Sequence, residues 1–589
     1  MNKEKLLIIQ NKIFYFIPVI SSLFFYCIVS LVNSILFKIN LLGSLYIIPD
    51  ILFFIFVSYI FFLFSKKLKI FFIVQFFLLA IINIGDSLKL SFFGAPIIMD
   101  DLFSLKEVFV ALWMMTPFFV ILPIILIISV ILILILNFKF RKSGLILFLT
   151  FLTFIISLNI FPKQYNLLIN KLDKTYLFWD QQENYKHNGP FVYFLNQYIR
   201  SNNNKEIPTK QSVETALQNI NKTKINHVGA QNFAPLKQNA SISIKPNIYF
   251  ILVESLWDPM LLNNSNYSQD PFYKDFRDLV NEQKNYLVSP TFEGKTADPE
   301  LELLCGVPVL KNNVPFQTEL KNNLECLPKI FSELGYETNA FHADWAAFYN
   351  RDKVYKKIGF DNYYSIKNYQ KDDLNDGKLS DKSFLNQSYN FTNNKNQKPK
   401  FNYYLTISTH IPYLLNETRP RIINNNMGNG WIDTYSNAIY YTTKEISEFI
   451  EKIKKDDLNS IIIVTGDHLP FLGNNKEVYT QTNTLNELTL HSTPLLFLEN
   501  GKTKKINISN MYNFGEEILK IMRVDKQNTL FGLFDSEELI NTRSLYVDQS
   551  SPKYININNG EKSIVPNELE DYTIIYNDLL FGKQYSIEK

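Results

Sequence analysis

Asn247-Ile-Tyr-Phe-Ile-Leu-Val-Glu254 is a short apolar run with no helical period, closed by a carboxylate. A run this brief and apolar on alternate and adjacent positions alike reads as a strand buried on both faces of a sheet. Four similar runs follow at Glu337–Phe341, Phe401–Ile407, Ser460–Val464 and Pro494–Leu498. Helical segments lie between them, among them Leu327–Leu334 and Asp433–Lys454. Strands alternating with helices predict an α/β domain on a mainly parallel sheet. Ligands of such sheets bind beyond the carboxyl ends of the strands. Polar residues with chemical potential stand there: Glu254, then His342 and Asp344, then His410, then Asp467 and His468. Three of the six histidines occupy these strand ends; His187, His227 and His491 do not.

Working outward from this domain, the amino-terminal part is different in kind. Residues 1–161 are dominated by Ile, Leu and Phe, whereas 162–589 have soluble composition. Apolar stretches at about 13–37, 43–64, 70–85, 115–138 and 144–161 are candidate membrane spans, which need roughly 20 apolar residues. The second is interrupted near one end by Pro49-Asp50, and the third is short unless it runs past Asn83. The first is too long for a cleaved signal peptide and lacks a small-residue cleavage site. Basic residues cluster at Lys3, Lys5 and Lys12, at Lys66, Lys67 and Lys69, and at Lys139, Arg141 and Lys142. That alternation predicts five spans, a cytoplasmic amino terminus and an extracytoplasmic domain after 161. The net charge of +3 is too small to imply nucleic acid as a partner.

The connections carry further expectations. Phe92–Leu102 mixes apolar residues with two acids and reads as a segment at the membrane interface or against the outer domain. Leu177–Asp180 followed by Tyr185–Ile199 reads as an amphipathic helix at the membrane surface, with Trp179, Tyr185 and Tyr193 as interfacial anchors. Ser201–Asn239 is polar and reads as an extended linker open to cleavage. The expected domains are 1–161 (membrane), 162–245 (juxtamembrane helix and linker), 246–545 (catalytic) and a tail over 546–589 that packs on or extends it. Cys305 and Cys326 stand 21 residues apart on the outer side, where they form either a disulfide or two buried thiols.

The nucleophile question centres on Gly294-Lys-Thr296, followed by the first turns of a helix at Asp298–Leu304. A threonine there can be a phosphate-loop residue, an N-cap or an activated nucleophile. The phosphate loop requires a glycine at the place held by Ser289 and a strand directly before it, so it is excluded. Asp467, His468 and Glu254 make an O/O/N set suited to Zn²⁺ or Mn²⁺, with Thr296 as a fourth ligand. A cation on the hydroxyl would lower its pKa and create a nucleophile. Taken singly, each residue has a plainer meaning. Asp467-His468 fits a turn, Glu254 a helix-start acid, His410 a residue before proline and Arg351 a solvated charge.

Taken together, Glu254, Gly294-Lys-Thr-Ala297, Phe341-His-Ala-Asp344, Phe348-Tyr-Asn-Arg351, Ser408-Thr-His-Ile-Pro412 and Thr465-Gly-Asp-His468 resemble the lipoteichoic acid synthase family. These are membrane-anchored phosphoglycerol transferases of the alkaline phosphatase/sulfatase superfamily. The resemblance extends over the five predicted spans and the outer domain. It implies an alkaline phosphatase/sulfatase-like central sheet flanked by helices. It implies a metal held by Glu254, Thr296, Asp467 and His468, usually Mn²⁺, with Zn²⁺ and Mg²⁺ as alternatives. Thr296 would be the nucleophile, and His342, Arg351 and His410 would hold the head group, with Asp344 on the same wall. Tyr349 stands where the family commonly has tryptophan, and Glu300–Val307 with its Cys-Gly also departs from the pattern.

The expected activity is transfer of phosphoglycerol from a phospholipid such as phosphatidylglycerol to an envelope glycan or polyglycerophosphate, through a phospho-threonine. Arg351 and His342 would neutralise the phosphoryl oxygens, and His410 would transfer the proton. The site would lie on the outer side of a bacterial cytoplasmic membrane, with no nucleotide or nucleic acid as partner. One alternative is a phosphoethanolamine transferase, and another is a degenerate sensor or scaffold on the same fold. Sulfatase chemistry is disfavoured, because Thr296-Ala-Asp-Pro-Glu300 lacks both the convertible Cys or Ser and the arginine of that motif.

Overall fold

The computed structural model describes residues 3–37, 47–93, 96–97, 139–161, 164–165, 167–168, 181–203, 207–227 and 245–587, less 311–313, 319, 345, 347, 376, 393–397, 474–475, 507, 509, 525–529, 532, 535–542, 549–550, 557–561 and 565–567. They belong to two compact units, Met1–Glu206 and Ile207–Lys589.

The first unit is helical: α1 (Lys3–Phe37), α2 (Ile48–Phe64), α3 (Leu68–Phe93), α4 (Lys142–Ile160), α5 (Gln181–Asn188) and α6 (Pro190–Asn203). Three stretches are long and apolar enough to cross a membrane, Tyr15–Ile35, Leu68–Ser87 and Lys142–Ile160, while α2 is apolar but shorter. The first, third and fifth expected spans are therefore found as such. The third continues past Asn83, and the fourth, 115–138, lies outside the described residues. The Phe92–Leu102 segment and Trp179 are likewise outside them, save for Phe92, Phe93, Pro96 and Ile97.

Two expectations about the juxtamembrane helix are corrected. It is two helices, broken at Gly189 (φ +77°), where an added Cβ would lie 2.6 Å from the Asp50 carboxylate. Asp50 accepts from Val192 N at 2.8 Å and from the Tyr26 hydroxyl at 2.7 Å, so it caps the start of α6. Tyr185 and Tyr193 are not exposed anchors. Their rings are buried beside Tyr26, Phe54 and Leu79, filling the space between α1, α2 and α3.

The second unit is built on an eight-stranded mixed sheet. Its strands are β1 (Asn247–Val253), β2 (Asn285–Val288), β3 (Glu337–His342), β4 (Asn362–Tyr364), β5 (Lys400–Leu405), β6 (Ser460–Gly466), β7 (Ser492–Glu499) and β8 (Lys502–Thr503). The order is β8-β7-β6-β1-β5-β3-β4, with β2 against β7. From β6 to β4 every neighbouring pair is parallel. β7 runs antiparallel to β6, and β8 and β2 run antiparallel to β7.

The periodicity of β1 explains its central place. Ile248, Phe250 and Leu252 enter one core, with Leu301, Ile518 and Ile575. Tyr249, Ile251 and Val253 enter the other, with Phe276, Leu385 and Ile439. A strand buried on both faces must be apolar on both, as this one is from Ile248 to Val253. Each such side chain contributes about 1.5–3 kcal/mol by burial.

Helices cover both faces: α7 (Lys210–His227), α8 (Lys274–Gln283), α9 (Ala297–Cys305), α10 (Leu327–Glu333), α11 (Arg351–Lys357), α12 (Asp381–Thr392), α13 (Gly430–Asp456), α14 (Met511–Ile521) and α15 (Glu568–Leu580). α13 starts where the Asn429 side chain accepts from the backbone of Trp431 and Ile432. The disulfide alternative holds: Cys305 at the end of α9 is bonded to Cys326 at the start of α10.

The extended linker is overturned in part by α7. Val213, Ala216 and Ile220 are buried, and with the part-buried Leu217 they recur at helical spacing on one side of an otherwise polar segment. They pack with Tyr572, Ile575 and Tyr576 of α15, and Asn219 Nδ2 donates to Asp571 at 3.2 Å. Preceding α15, three antiparallel strands, Arg543–Asp548, Ser551–Asn556 and Lys562–Ile564, form a small separate sheet.

Candidate active site

β3, β5, β1 and β6 lie side by side and run the same way, so their carboxyl ends meet at one edge of the sheet. Glu254 follows β1, Asp467 and His468 follow β6, His342 ends β3, and His410 lies on the loop after β5. All but the part-buried His410 are buried. Gly466 is needed where it stands. A Cβ there would meet the Leu256 carbonyl oxygen at 2.2 Å, so only glycine lets the loops after β1 and β6 approach this closely.

Glu254, Asp467 and His468 present ligand atoms that all lie within 4.8 Å of one another. The other polar atoms of these residues are occupied. Asp467 Oδ1 accepts from the backbone of Ser255 and His468, each at 2.7 Å. His468 Nδ1 donates to the Leu469 carbonyl at 2.8 Å, which leaves Nε2 as the ring nitrogen that faces Asp467. Asp467 Oδ2 and His468 Nε2 are buried, have no hydrogen-bond partner and lie 3.1 Å apart. Two buried acceptors facing each other are costly unless a proton or a cation lies between them. The donor set therefore fits a divalent ion with mixed oxygen and nitrogen ligands.

The electrostatics agree. Burial, reinforced by Glu254, pushes the Asp467 carboxyl up to about 7. Burial also opposes ionisation of Glu254, but His410, His468 and hydrogen bonds from Ser255 and Thr296 hold its carboxyl below the usual range. One carboxylate is stabilised by its neighbours, while the other lacks sufficient positive charge nearby.

Thr296 joins this cluster. Its Oγ donates to Glu254 Oε2 at 3.2 Å. The expected N-cap role is not seen: Thr296 already has helical backbone angles and makes no side-chain cap bond. The approach to it is a left-handed turn of three residues, Glu293 (φ +50°), Gly294 (φ +82°) and Lys295 (φ +61°). That conformation is unfavourable for two of the three, and it turns the hydroxyl toward Glu254 instead of along the helix.

The remaining expected residues form the adjoining wall. His342 Nδ1 donates to the Leu405 carbonyl at 3.0 Å. Burial, then Arg351, push the pKa of this imidazole well below its ordinary value, so the ring is neutral. His410 Nδ1 donates to the Ile411 carbonyl at 3.0 Å. Arg351 is fully buried, and its charge is maintained against burial chiefly by Glu300, whose Oε2 lies 3.0 Å from Nε. The Tyr349 ring lies 5.1 Å from the Arg351 guanidinium carbon. Asp344 is two residues beyond β3, where its carbonyl accepts from Ile366 N.

Several supports have no signal in the sequence. Thr406 Oγ accepts from Glu254 N at 3.0 Å, and the Thr409 hydroxyl donates to the Glu254 carbonyl. Ser289 Oγ donates to the Asp467 carbonyl at 2.5 Å, while His491 Nδ1 donates to the Ser289 carbonyl at 2.8 Å. Ser289 and His491 thus link β2 and β7 to the loop carrying the metal-set residues.

Residues 246–534 match the Sulfatase family. A candidate cyclic beta-1,2-glucan modification protein of Rhizobium meliloti is 26% identical over 456 residues, 72% of this chain and 67% of that protein. The lipoteichoic acid synthase of Staphylococcus aureus is 27% identical over 295 residues, 48% of this chain and 44% of that protein. The chain thus matches under half the length of the latter relative. Among solved structures, the Streptococcus pyogenes phosphoglycerol transferase GacH aligns with a TM-score of 0.47 at 20% identity, covering 64% of this chain and 95% of that one.

Proposed function

We propose, from the premise that residues 246–534 give this chain a sulfatase-family domain, that it is a membrane-anchored phosphotransferase moving phosphoglycerol from a phospholipid to an envelope acceptor. The observation that carries this reading is the Thr296 hydroxyl, 3.2 Å from Glu254, beside the unpartnered Asp467 Oδ2 and His468 Nε2. Glu254, Asp467 and His468 would hold one divalent cation, with Thr296 as the fourth ligand and Mn²⁺ as the first candidate, ahead of Zn²⁺ and Mg²⁺. Bound there, the ion would supply Lewis-acid activation of the hydroxyl and of a phosphoryl oxygen.

The chain's own residues supply the rest. Thr296 Oγ passes its proton to Glu254 Oε2, the carboxylate oxygen it faces, as it attacks phosphorus, and the bond from phosphorus to the diacylglycerol oxygen breaks. His410 is the candidate to deliver a proton to that leaving oxygen. The resulting phospho-threonine is attacked by an acceptor hydroxyl, whose proton passes to His410, while Glu254 returns its proton to the departing Thr296 oxygen and restores the hydroxyl. Arg351 faces the phosphoryl oxygens with paired N–H donors.

His342 suits a different task from the charge neutralisation expected of it. With Nδ1–H on Leu405 and the ring neutral, Nε2 is an acceptor and fits a head-group hydroxyl.

Apolar helices at the amino-terminal end support a membrane anchor, and the alternation of basic residues supports an outer location for the second unit. Outer-leaflet lipid would then be the donor, and a glycan or polyglycerophosphate the acceptor. The test is mass spectrometry of the Thr296 peptide after incubating the full chain with Mn²⁺ and mixed phospholipids, without acceptor. A glycerophosphate adduct is expected, absent in Thr296→Ala. A phosphoethanolamine adduct would shift the reading to the alternative head group. No adduct together with no diacylglycerol would refute transfer from lipid.

A further inference from the structure

We propose that Glu300 is the positioning residue of the head-group clamp, holding the Arg351 guanidinium at a fixed place relative to the Thr296 hydroxyl. This rests on the roles given to Thr296 and Arg351 above, and it assigns a duty to a residue outside that set. Glu300 is fully buried one turn along α9 from Thr296, and its N–H reaches the Thr296 carbonyl at 3.3 Å. Its carboxylate collects contacts from two other elements. Arg351 Nε, on α11, lies 3.0 Å from Oε2 and 3.3 Å from Oε1. The Tyr355 hydroxyl, also on α11, donates to Oε1 at 2.8 Å, and the Tyr403 hydroxyl, on β5, does so at 3.1 Å.

A buried ion pair is seldom retained for stability alone, because apolar residues of equal volume serve a core as well or better. The geometry points to alignment instead. Glu300 engages Arg351 through Nε, which leaves the Nη edge for other acceptors; Nη1 reaches the Phe348 carbonyl at 3.4 Å. The two tyrosines fix the carboxylate, the carboxylate fixes the guanidinium plane, and the shared helix fixes that plane relative to the nucleophile. An arginine without this brace samples several rotamers, and its paired donors no longer match a phosphoryl group in one orientation. Misplacement by about 1 Å is enough to lower a rate by about 10²-fold.

The experiment uses the full chain loaded with Mn²⁺. Diacylglycerol release is measured in vesicles containing phosphatidylglycerol, and glycerophosphate affinity is measured separately. Glu300→Gln is expected to lower kcat/KM by about 10²-fold and to weaken glycerophosphate binding. Tyr403→Phe, which keeps both charges, is expected to do the same to a lesser degree. Metal content should be unchanged in both. Neither substitution should lower activity or affinity further in an Arg351→Met background, because Glu300 acts through Arg351. Effects that multiply with Arg351→Met, or glycerophosphate affinity unchanged or tighter in the single variants, would overturn the proposal. If Glu300→Gln does not fold, Tyr403→Phe decides by the same comparison. A wild-type chain that binds glycerophosphate but releases no diacylglycerol would sink the donor reading, while the affinity series still decides the role of Glu300.

Discussion

Glu445 shows what burial does to a carboxyl even when an arginine pairs with it. It lies on α13, and its Oε1 accepts from Arg419 Nε and its Oε2 from Lys382 N, both at 2.8 Å. Burial, then Asp381, push its pKa up from 4.5 to about 7 in spite of Arg419. Below about pH 4.5 the residue is protonated in both the folded and unfolded chain. As pH rises toward 7 the unfolded chain releases its proton first, so folding loses stability across that window. Glu445→Gln is expected to flatten this slope by up to about 3 kcal/mol, read as denaturant midpoints of the outer domain at several pH values. An unchanged slope would count against the assignment. At this scale the sequence shows the chemically distinctive residues and hides their supports. Asp467-His468 stands out because a carboxylate and an imidazole side by side after a strand can both face one ion. Thr406 and Ser289 do not stand out, because hydroxyl residues are common and their partners are remote in the chain: 152 residues separate Glu254 from Thr406. The link from Glu300 to Arg351 is hidden for the same reason.

Among the elements, α9 is held at three points: Thr296 on Glu254 at its start, Glu300 on Arg351 in its middle, and Cys305 on Cys326 at its end. The disulfide closes a 21-residue separation. Replacing both cysteines by serine should lower the unfolding free energy by about 3 kcal/mol, the loop-closure value for that length. Chemical denaturation with and without reductant measures it, and equal midpoints would argue that the bond contributes nothing. Parallel strands were legible because burial on two faces leaves long apolar runs, as in Ile248–Val253 of β1 and Ile461–Val464 of β6. β2 was not legible, since Asn285–Val288 is four residues long and gains its register only by pairing with β7. α7 was missed because four apolar positions among polar neighbours resemble a linker until a partner surface is known. The break at Gly189 follows from Asp50, 139 positions earlier, which no local pattern reports.

On the scale of the whole molecule, the segment joining the two units is also a packing element of the second. α7 opens that unit and lies along α15, which is almost its last structured element. Of the expected linker, Ser201–Asn239, the part beyond His227 is where that expectation still allows a protease to cut. A cut there would sever the backbone without freeing the domain, because Val213, Ala216 and Ile220 would remain buried against the far end of the same polypeptide. A protease site inserted in that interval should therefore yield two fragments that stay together on membranes until denaturant or an α15 substitution such as Ile575→Asp separates them. Immediate release of the outer fragment into the soluble fraction would refute this. The pairing of α7 with α15 thus acts as a clasp: cleavage alone nicks the protein, and shedding requires a second, non-covalent step.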